Sequence, residues 1–337
     1  MRGEVTVSKG LGMPGVGSGA GPAIAGSAIR RTACLQVLVP ALVLAMVLGV
    51  AVPRAALASE ALRVVTTFTV LEDLTRQVAG ERAEVVTLTP AGAEVHEWEL
   101  KPRNFMALEH ADLVFYNGFN LEQWMHQVRA VVADGVPVVA LAERSGYPTR
   151  PIVAGDFEGA PDPHLWMDVR AAREYVRTIR EALEEADPGG AAGYRRRAAD
   201  FKERLDALHD EVVRELERVP AQRRLLVTSE AAFVYFAAAY DFRHDGIWGS
   251  NAEQEGTPRQ LMRVIDLVNE WEPPALFWES TISDRYVRSV ASETGTRVAG
   301  PLYVDSVSAS SGEAPDYISM MRFNARLVAN ELGVDER

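Results

Sequence analysis

Four side chains in this 337-residue sequence have the types and spacing to hold a metal ion: His96, His164, Glu230 and Asp305, roughly 70 residues apart. Each lies on or just past an apolar or turn-rich stretch that reads as the end of a strand. Donors so distant in sequence meet only where a fold gathers strand-end loops at one point, so the site they imply is tertiary and interdomain. Two imidazoles and two carboxylates suit a divalent ion of intermediate hardness. Each residue also has an ordinary reading. His96, beyond the turn Pro90-Ala91-Gly92, could be a surface histidine, and His164 follows the rigid turn Pro161-Asp162-Pro163. Glu230 reads as the start of a helix, whose N-terminus its carboxylate would complement, and Asp305 could form a turn ahead of Ser306. The run HEWEL at His96 is not a zinc-protease helix, because Leu100 stands where the second histidine is needed. Among the other histidines, His110, His126 and His209 fall in predicted helices, while His244 sits in a strand or turn near Trp248 and could approach the site.

The elements that must position these residues alternate. Residues 63–68, 83–88, 111–116 and 136–140 read as strands, separated by helical stretches such as 121–132. A second set follows, with strands over 224–229, 275–279 and 297–304 and helices over 258–271 and 284–293. Strands alternating with helices predict two similar α/β halves, each a mostly parallel sheet covered by helices. Between them, after Asp187-Pro188-Gly189-Gly190, apolar residues recur at Tyr194, Ala198, Phe201, Leu205, Leu208, Val212, Leu216 and Val219, and Pro220 ends the run. About 28 helical residues would extend about 40 Å. A coiled-coil dimer would use the same stripe, but it is short and flanked by sheets, which favours an intramolecular strut. The expected organisation is an export signal with a long lead over 1–58, an N-terminal lobe over 59–189, a linking helix over 190–220 and a C-terminal lobe over 221–337.

The formal charge of -12 leaves no basic stripe for phosphates and argues against nucleic acid as a partner. In the leader, Arg30 and Arg31 precede an apolar run from Leu35 to Val52 and then Ala56-Leu57-Ala58, the order of an export signal cut after Ala58. Cutting there removes five basic residues and one acidic one, moving the formal charge from -12 to -16. The 18-residue apolar run could instead remain as a membrane anchor. Cys34, the only cysteine, precedes that run, so it cannot carry a lipid at the cleavage point and the mature chain has neither disulfide nor thiolate chemistry.

Several segments agree, in order, with a known family: HEWELKP around His96, ADLVFYNGFNLE from Ala111, PDPHLWMD around His164, VTSEAAFVYFAAAY from Val227, EGTPRQL from Glu255, LFWESTISDR from Leu276 and YVDSV around Asp305. From residue 62 onward the chain resembles the metal-binding receptors of ABC-type importers, the branch that carries manganese, zinc or iron. The resemblance implies two lobes joined by a long helix with metal bound in the cleft, His96 and His164 coming from one lobe and Glu230 and Asp305 from the other. Glu230 falls where manganese-type members have glutamate and zinc-type members often have histidine. A carboxylate there hardens the site and favours Mn2+ or Fe2+ over tetrahedral Zn2+. The histidine-rich loop of zinc specialists has no counterpart, since residues 146–163 contain no histidine. Mn2+ is the implied cargo, with Zn2+ and Fe2+ as alternatives, although the general affinity order runs toward Zn2+. Glu279 and Ser280 are placed to support the ligands from behind, and Trp98 and Trp166, each two residues past a ligand, could shield the metal.

The expected role is capture and handover to a membrane permease by an exported monomer, not catalysis, with a modest lobe tilt and loop reordering. Neutral imidazoles are needed for binding, so affinity should fall below about pH 6.5. Three rivals remain: an exported metal-dependent hydrolase, although no further acid or base is evident beside the ligands; an adhesin with a structural metal; and a siderophore or cobalamin receptor.

Overall fold

In the computed structural model the described residues are 61–155, 157–251 and 255–333; the leader read over 1–58, with Cys34, lies outside them. The first sheet has four parallel strands, β1 (Leu62–Thr66), β2 (Ala83–Thr87), β3 (Leu113–Tyr116) and β4 (Val138–Ala140), in the order β2-β1-β3-β4. Its alternating side chains are buried on both faces. Val64, Leu113 and Phe115 face one core, which includes α1 (Thr69–Ala79), whereas Val65 and Val114 face another with Leu108 of α2 (Pro102–Glu109) and Val128 of α3 (Met125–Val131). The short helix α4 (Leu141–Ser145) leaves β4, and an 18-residue helix, α5 (Val169–Ala186), completes the cover.

The linking helix α6 spans Ala191–Leu216, and its buried stripe is Tyr194, Ala198, Phe201, Leu205, Leu208, Val212 and Leu216. Those steps of three and four are the ones read from the sequence, because only that spacing keeps one face against a core for seven turns. Its 26 residues extend about 39 Å at 1.5 Å each. The helix packs against α5, α1 and the C-terminal helix α10 (Tyr317–Leu332).

In the second half the strands form two parallel pairs, β5 (Leu225–Glu230) with β6 (Arg243–Trp248) and β7 (Ala275–Glu279) with β8 (Arg297–Leu302). β5 and β7 lie side by side without a continuous ladder among the described residues, so this half is less regular than the first. Alternation again divides the cores: Leu226, Ala275 and Phe277 join the core that contains α6, α7 (Val234–Ala239) and α10, while Leu225, Val227 and Leu276 face α8 (Pro258–Trp271) and α9 (Arg285–Thr294). α8 begins and ends at the residues expected from sequence. Thr257 and Gln260 form a reciprocal cap, Pro258 occupies the first turn, and Glu272 closes the helix in a left-handed conformation before Pro273. No helix among the described residues is long and apolar enough to cross a membrane.

Candidate metal centre

The structure brings all four sequence-predicted donors together at the carboxyl ends of the strands. His96 lies beyond β2, His164 lies just ahead of α5, Glu230 is the last residue of β5, and Asp305 follows β8. All four are buried, and one donor atom from each lies within 4.8 Å of the others. His96 Nε2 is 3.5 Å from a Glu230 oxygen and 3.9 Å from an Asp305 oxygen; His164 Nε2 is 3.5 Å from Asp305 and 3.9 Å from Glu230. Donors about 2.1 Å from a first-row divalent ion stand roughly 3–3.5 Å apart, so the cluster has the dimensions of a coordination shell. Both Nε2 atoms and both Asp305 oxygens are buried without a hydrogen-bond partner of ordinary geometry. Buried polar atoms left without partners are costly, and here they converge on one point.

Burial opposes a charge on either ring, but the surrounding carboxylates outweigh it. Glu230, Glu94 and Asp305 hold the His96 imidazole up to about 10, and Asp162, Asp305 and Glu230 hold His164 well above the usual range. The carboxylates thus favour a proton on either ring, which moves the acid sensitivity expected of metal binding above the pH 6.5 inferred from free imidazole.

Each donor is held from behind. His164 Nδ1 lies 3.1 Å from Asp162 Oδ1, which also accepts the His164 backbone N–H at 2.9 Å. The preceding Pro163 carbonyl accepts from Asn117 Nδ2 at 2.9 Å. Asn117 is fixed in turn by the Tyr175 hydroxyl at 2.6 Å and by Glu122, which accepts its backbone N–H at 2.7 Å. The NGFNLE motif thus shapes the loop that aims His164. Glu279 accepts the N–H groups of Ser229 and Glu230 at 3.2 and 3.1 Å; burial first, and then the neighbouring Glu230, push its carboxyl well above the usual range. The expected support from Glu279 is present, whereas Ser280 Oγ makes no hydrogen bond. Asp305 lies in a segment tied down on both sides: Trp166 Nε1 donates to the Val304 carbonyl at 3.0 Å, Gly92 N donates to Ser306 Oγ at 2.8 Å, and Val307 N donates to Thr69 Oγ1 at 3.0 Å.

Several expectations are corrected. Glu230 closes a strand, and the next helix starts only at Val234; the ladder with β6 continues to Glu230, opposite Trp248, and Glu279 accepts the N–H groups of residues 229 and 230. His244 lies within β6 away from the donors, its Nε2 2.9 Å from Thr228 Oγ1, and burial lowers its pKa to about 4. Trp166 packs against His164 with ring centroids 5.2 Å apart and planes tilted by 56°, but Trp98 packs on the opposite side of the first sheet with Leu108 and Trp124. His110 follows α2 instead of lying within it. An acid-base group does stand beside the donors. Glu94 accepts the His96 N–H at 2.9 Å and is raised to about 7, first by burial, then by Asp305 and Glu230 against the opposing pull of His96. Sequence reading missed Glu94, Ser250 and Asn251 and saw Asp162 only as part of a turn; a carboxylate two residues before a histidine was the available signal for Asp162.

A two-lobed α/β frame with one long linking helix, and with buried donors meeting at strand ends, defines a solute-binding receptor. The family described as "Zinc-uptake complex component A periplasmic" matches residues 64–331, and the chain belongs to this ZnuA family. Among curated relatives, the "Iron-binding protein YfeA" of Yersinia pestis is 40% identical over 271 residues, 80% of this chain and 86% of that protein. The "Manganese-binding lipoprotein MntA" of Halalkalibacterium halodurans is 37% identical over 265 residues, 79% of this chain and 86% of that protein. Among solved structures, the periplasmic zinc binding protein TroA from Treponema pallidum superposes with a TM-score of 0.76 at 26% identity, covering 82% of this chain and all of that one. The Mn-bound periplasmic metal binding protein from Candidatus Liberibacter asiaticus gives a TM-score of 0.73 at 27% identity, covering 81% of this chain and all of that one.

Proposed function

We propose that this protein captures a divalent metal ion outside the cytoplasm and delivers it to the permease of an ABC importer, with His96, His164, Glu230 and Asp305 as the ligands and Mn2+ as the cargo. The observation that carries this reading is the convergence of four buried donors, of which His96, His164 and Asp305 present atoms that have no other partner. Membership of a family of transporter receptors supports the delivery role. The relatives' names span iron, manganese and zinc, so the preference for Mn2+ rests on the donor set. Two carboxylates that can bind through one or both oxygens accept the higher coordination numbers of Mn2+, and a site with only two imidazoles forgoes the nitrogen-rich tetrahedron that Zn2+ prefers.

The receptor acts as a monomer, exported by its leader and cut after Ala58, and works as a carrier and not an enzyme. Glu94 gives the hydrolase rival one point in its favour, but its carboxylate is engaged with the His96 backbone N–H and the metal-facing atoms belong to the four ligands.

The test is metal analysis of protein recovered from its exported compartment, joined to Mn2+ calorimetry on wild type and His164→Ala. One Mn2+ per chain and loss of at least about a hundredfold in affinity in the variant are expected, since an inner ligand is removed. Undiminished binding by His164→Ala would end the ligand assignment. Hydrolysis of phosphate esters by the Mn2+-loaded protein, abolished in His96→Ala, would replace the carrier with the enzyme.

A further inference from the structure

We infer that Ser250 and Asn251, adjacent residues on the loop after β6, are positioning residues that hold both imidazoles in the tautomer and direction that metal capture requires; this rests on the capture reading above. His96 Nδ1 lies 3.1 Å from Asn251 Oδ1. The Asn251 amide is oriented by its other end, where Nδ2 donates to the Phe119 carbonyl at 3.3 Å. The atom facing the ring is therefore a carbonyl oxygen, which can only accept, so Nδ1 must carry the proton. When a metal ion displaces the ring's second proton, it is therefore Nε2, facing Glu230 and Asp305, that presents the lone pair. The opposite tautomer would set two lone pairs against each other.

His164 is served by the same loop chiefly through Asp162, with Ser250 Oγ itself 3.5 Å from His164 Nδ1. Ser250 Oγ donates to Asp162 Oδ2 at 2.6 Å, and the other oxygen of that carboxylate faces His164 Nδ1 at 3.1 Å. The carboxylate is thereby fixed at both oxygens, and His164 also keeps its proton on Nδ1. Ser250 and Asn251 are 1% and 4% exposed, so neither is a surface residue that happens to reach inward.

The loop is built for the task. Asn251 has φ of 61°, a left-handed conformation that asparagine accepts more readily than most residues. At Gly249 the backbone passes so close to the Ala154 carbonyl that any Cβ would overlap its oxygen. Both histidines belong to the half built on the first sheet, His96 after β2 and His164 after β4, whereas residues 250 and 251 follow β6 in the second half. The second half therefore contributes the backing of both rings as well as carboxylate donors. When β6 and its loop draw away, the His96 ring loses its orienting acceptor as Glu230 departs, so release of the metal does not have to be driven by loss of a ligand alone.

The test uses Mn2+ calorimetry on the full-length protein with Asn251→Gly, Asn251→Asp, Ser250→Ala and, as reference, His164→Ala. Glycine keeps the left-handed backbone and removes the acceptor, and aspartate keeps both. Removing a group that orients a ligand costs about 10–100-fold in metal affinity, which is the loss expected for Asn251→Gly; Asn251→Asp should restore affinity to about threefold of wild type, and Ser250→Ala, with Asp162 still present, should lose less than Asn251→Gly. A purely structural role would not move the second readout. In long-range 1H–15N spectra of Zn2+-loaded protein labelled at histidine, the slowly exchanging Nδ1 proton of His96 should be present in wild type and Asn251→Asp and lost in Asn251→Gly. Affinity of Asn251→Gly within twofold of wild type, alongside abolished binding in His164→Ala, would overturn this inference and leave the capture reading standing. Unchanged binding in His164→Ala would topple both. If Asn251→Gly does not fold, Asn251→Asp decides: a loss as large as that expected for glycine would overturn the inference.

Discussion

A buried imidazole beside several carboxylates has two stable conditions, protonated or bound to a metal, and the two are exclusive. With His96 held up to about 10 and His164 well above the free value, a divalent ion bound through these rings would have to displace protons that the carboxylates favour there. Binding should therefore release about one to two protons per ion, and affinity should keep rising between pH 6.5 and 8.5 instead of levelling off, by about tenfold per pH unit for each proton released. Calorimetry in two buffers of different ionisation enthalpy measures this directly, and an affinity independent of pH over that range would contradict the arrangement of carboxylates. His244 behaves in the opposite sense. Its folded pKa of about 4 lies below the unfolded value near 6.5, so the unfolded chain takes up the extra proton as acid is added. The stability due to a neutral His244 is complete above pH 6.5 and is lost as pH falls toward 4. A shift of this size corresponds to at most about 3 kcal/mol, and the residue's partial exposure brings the expectation nearer 2. In denaturant titrations at pH 7.0 and 4.5, His244→Gln should lose about 2 kcal/mol less than wild type between the two conditions. Equal losses would show that the ring is solvated.

Elements were legible in the sequence where local chemistry and tertiary packing agree. The ends of α8 could be read because cap, proline and left-handed stop are all local signals, and the stripe of α6 could be read because its buried positions are large and apolar. α5 was readable by the same rule, since Val169, Ala172, Tyr175, Val176, Ile179 and Leu183 recur at helical spacing on its buried face, but it does not figure among the helices expected from sequence. The extension of β5 to Glu230 was hidden because it depends on pairing with Trp248 of β6, a tertiary partner. The same holds for the site. The four donors were visible as residue types, but the roles of Ser250 and Asn251 depend on partners 88 and 155 residues away. The strut's importance can be tested at its midpoint. Phe201 is 2% exposed, with the Arg204 guanidinium over its ring, and Phe201→Ala should cost about 3–5 kcal/mol by leaving a cavity between α6 and its neighbours. Chemical denaturation of the metal-free protein checks this. A loss below about 1 kcal/mol would mean that the helix is a tether and not a packed beam.

For the whole molecule, the distribution of the cores limits how the receptor can move. One core runs without interruption from β1 and α1 through α5 and α6 to α10 and the inner faces of β5 and β7, so the two sheets share a common interior. A wide opening would have to break that interior. The segment carrying Asp305 is also hydrogen-bonded to Thr69, Gly92 and Trp166, which keeps this carboxylate with the two histidines. The smaller core between β5–β8 and α8–α9 can shift more cheaply, and it carries Glu230 together with the loop of Ser250 and Asn251. Metal release by a slight tilt of this outer part, with the strut fixed, follows from that arrangement. Hydrogen exchange with and without Mn2+ should then show protection gained at residues 92–97, 161–164, 229–233 and 249–251, and less at 304–307, whose amides are already tied. The amides of α1, α6 and α10 should exchange alike in both states. Metal-dependent protection along the length of α6 would mean that the shared interior opens, and the motion would have to be described as separation of whole lobes.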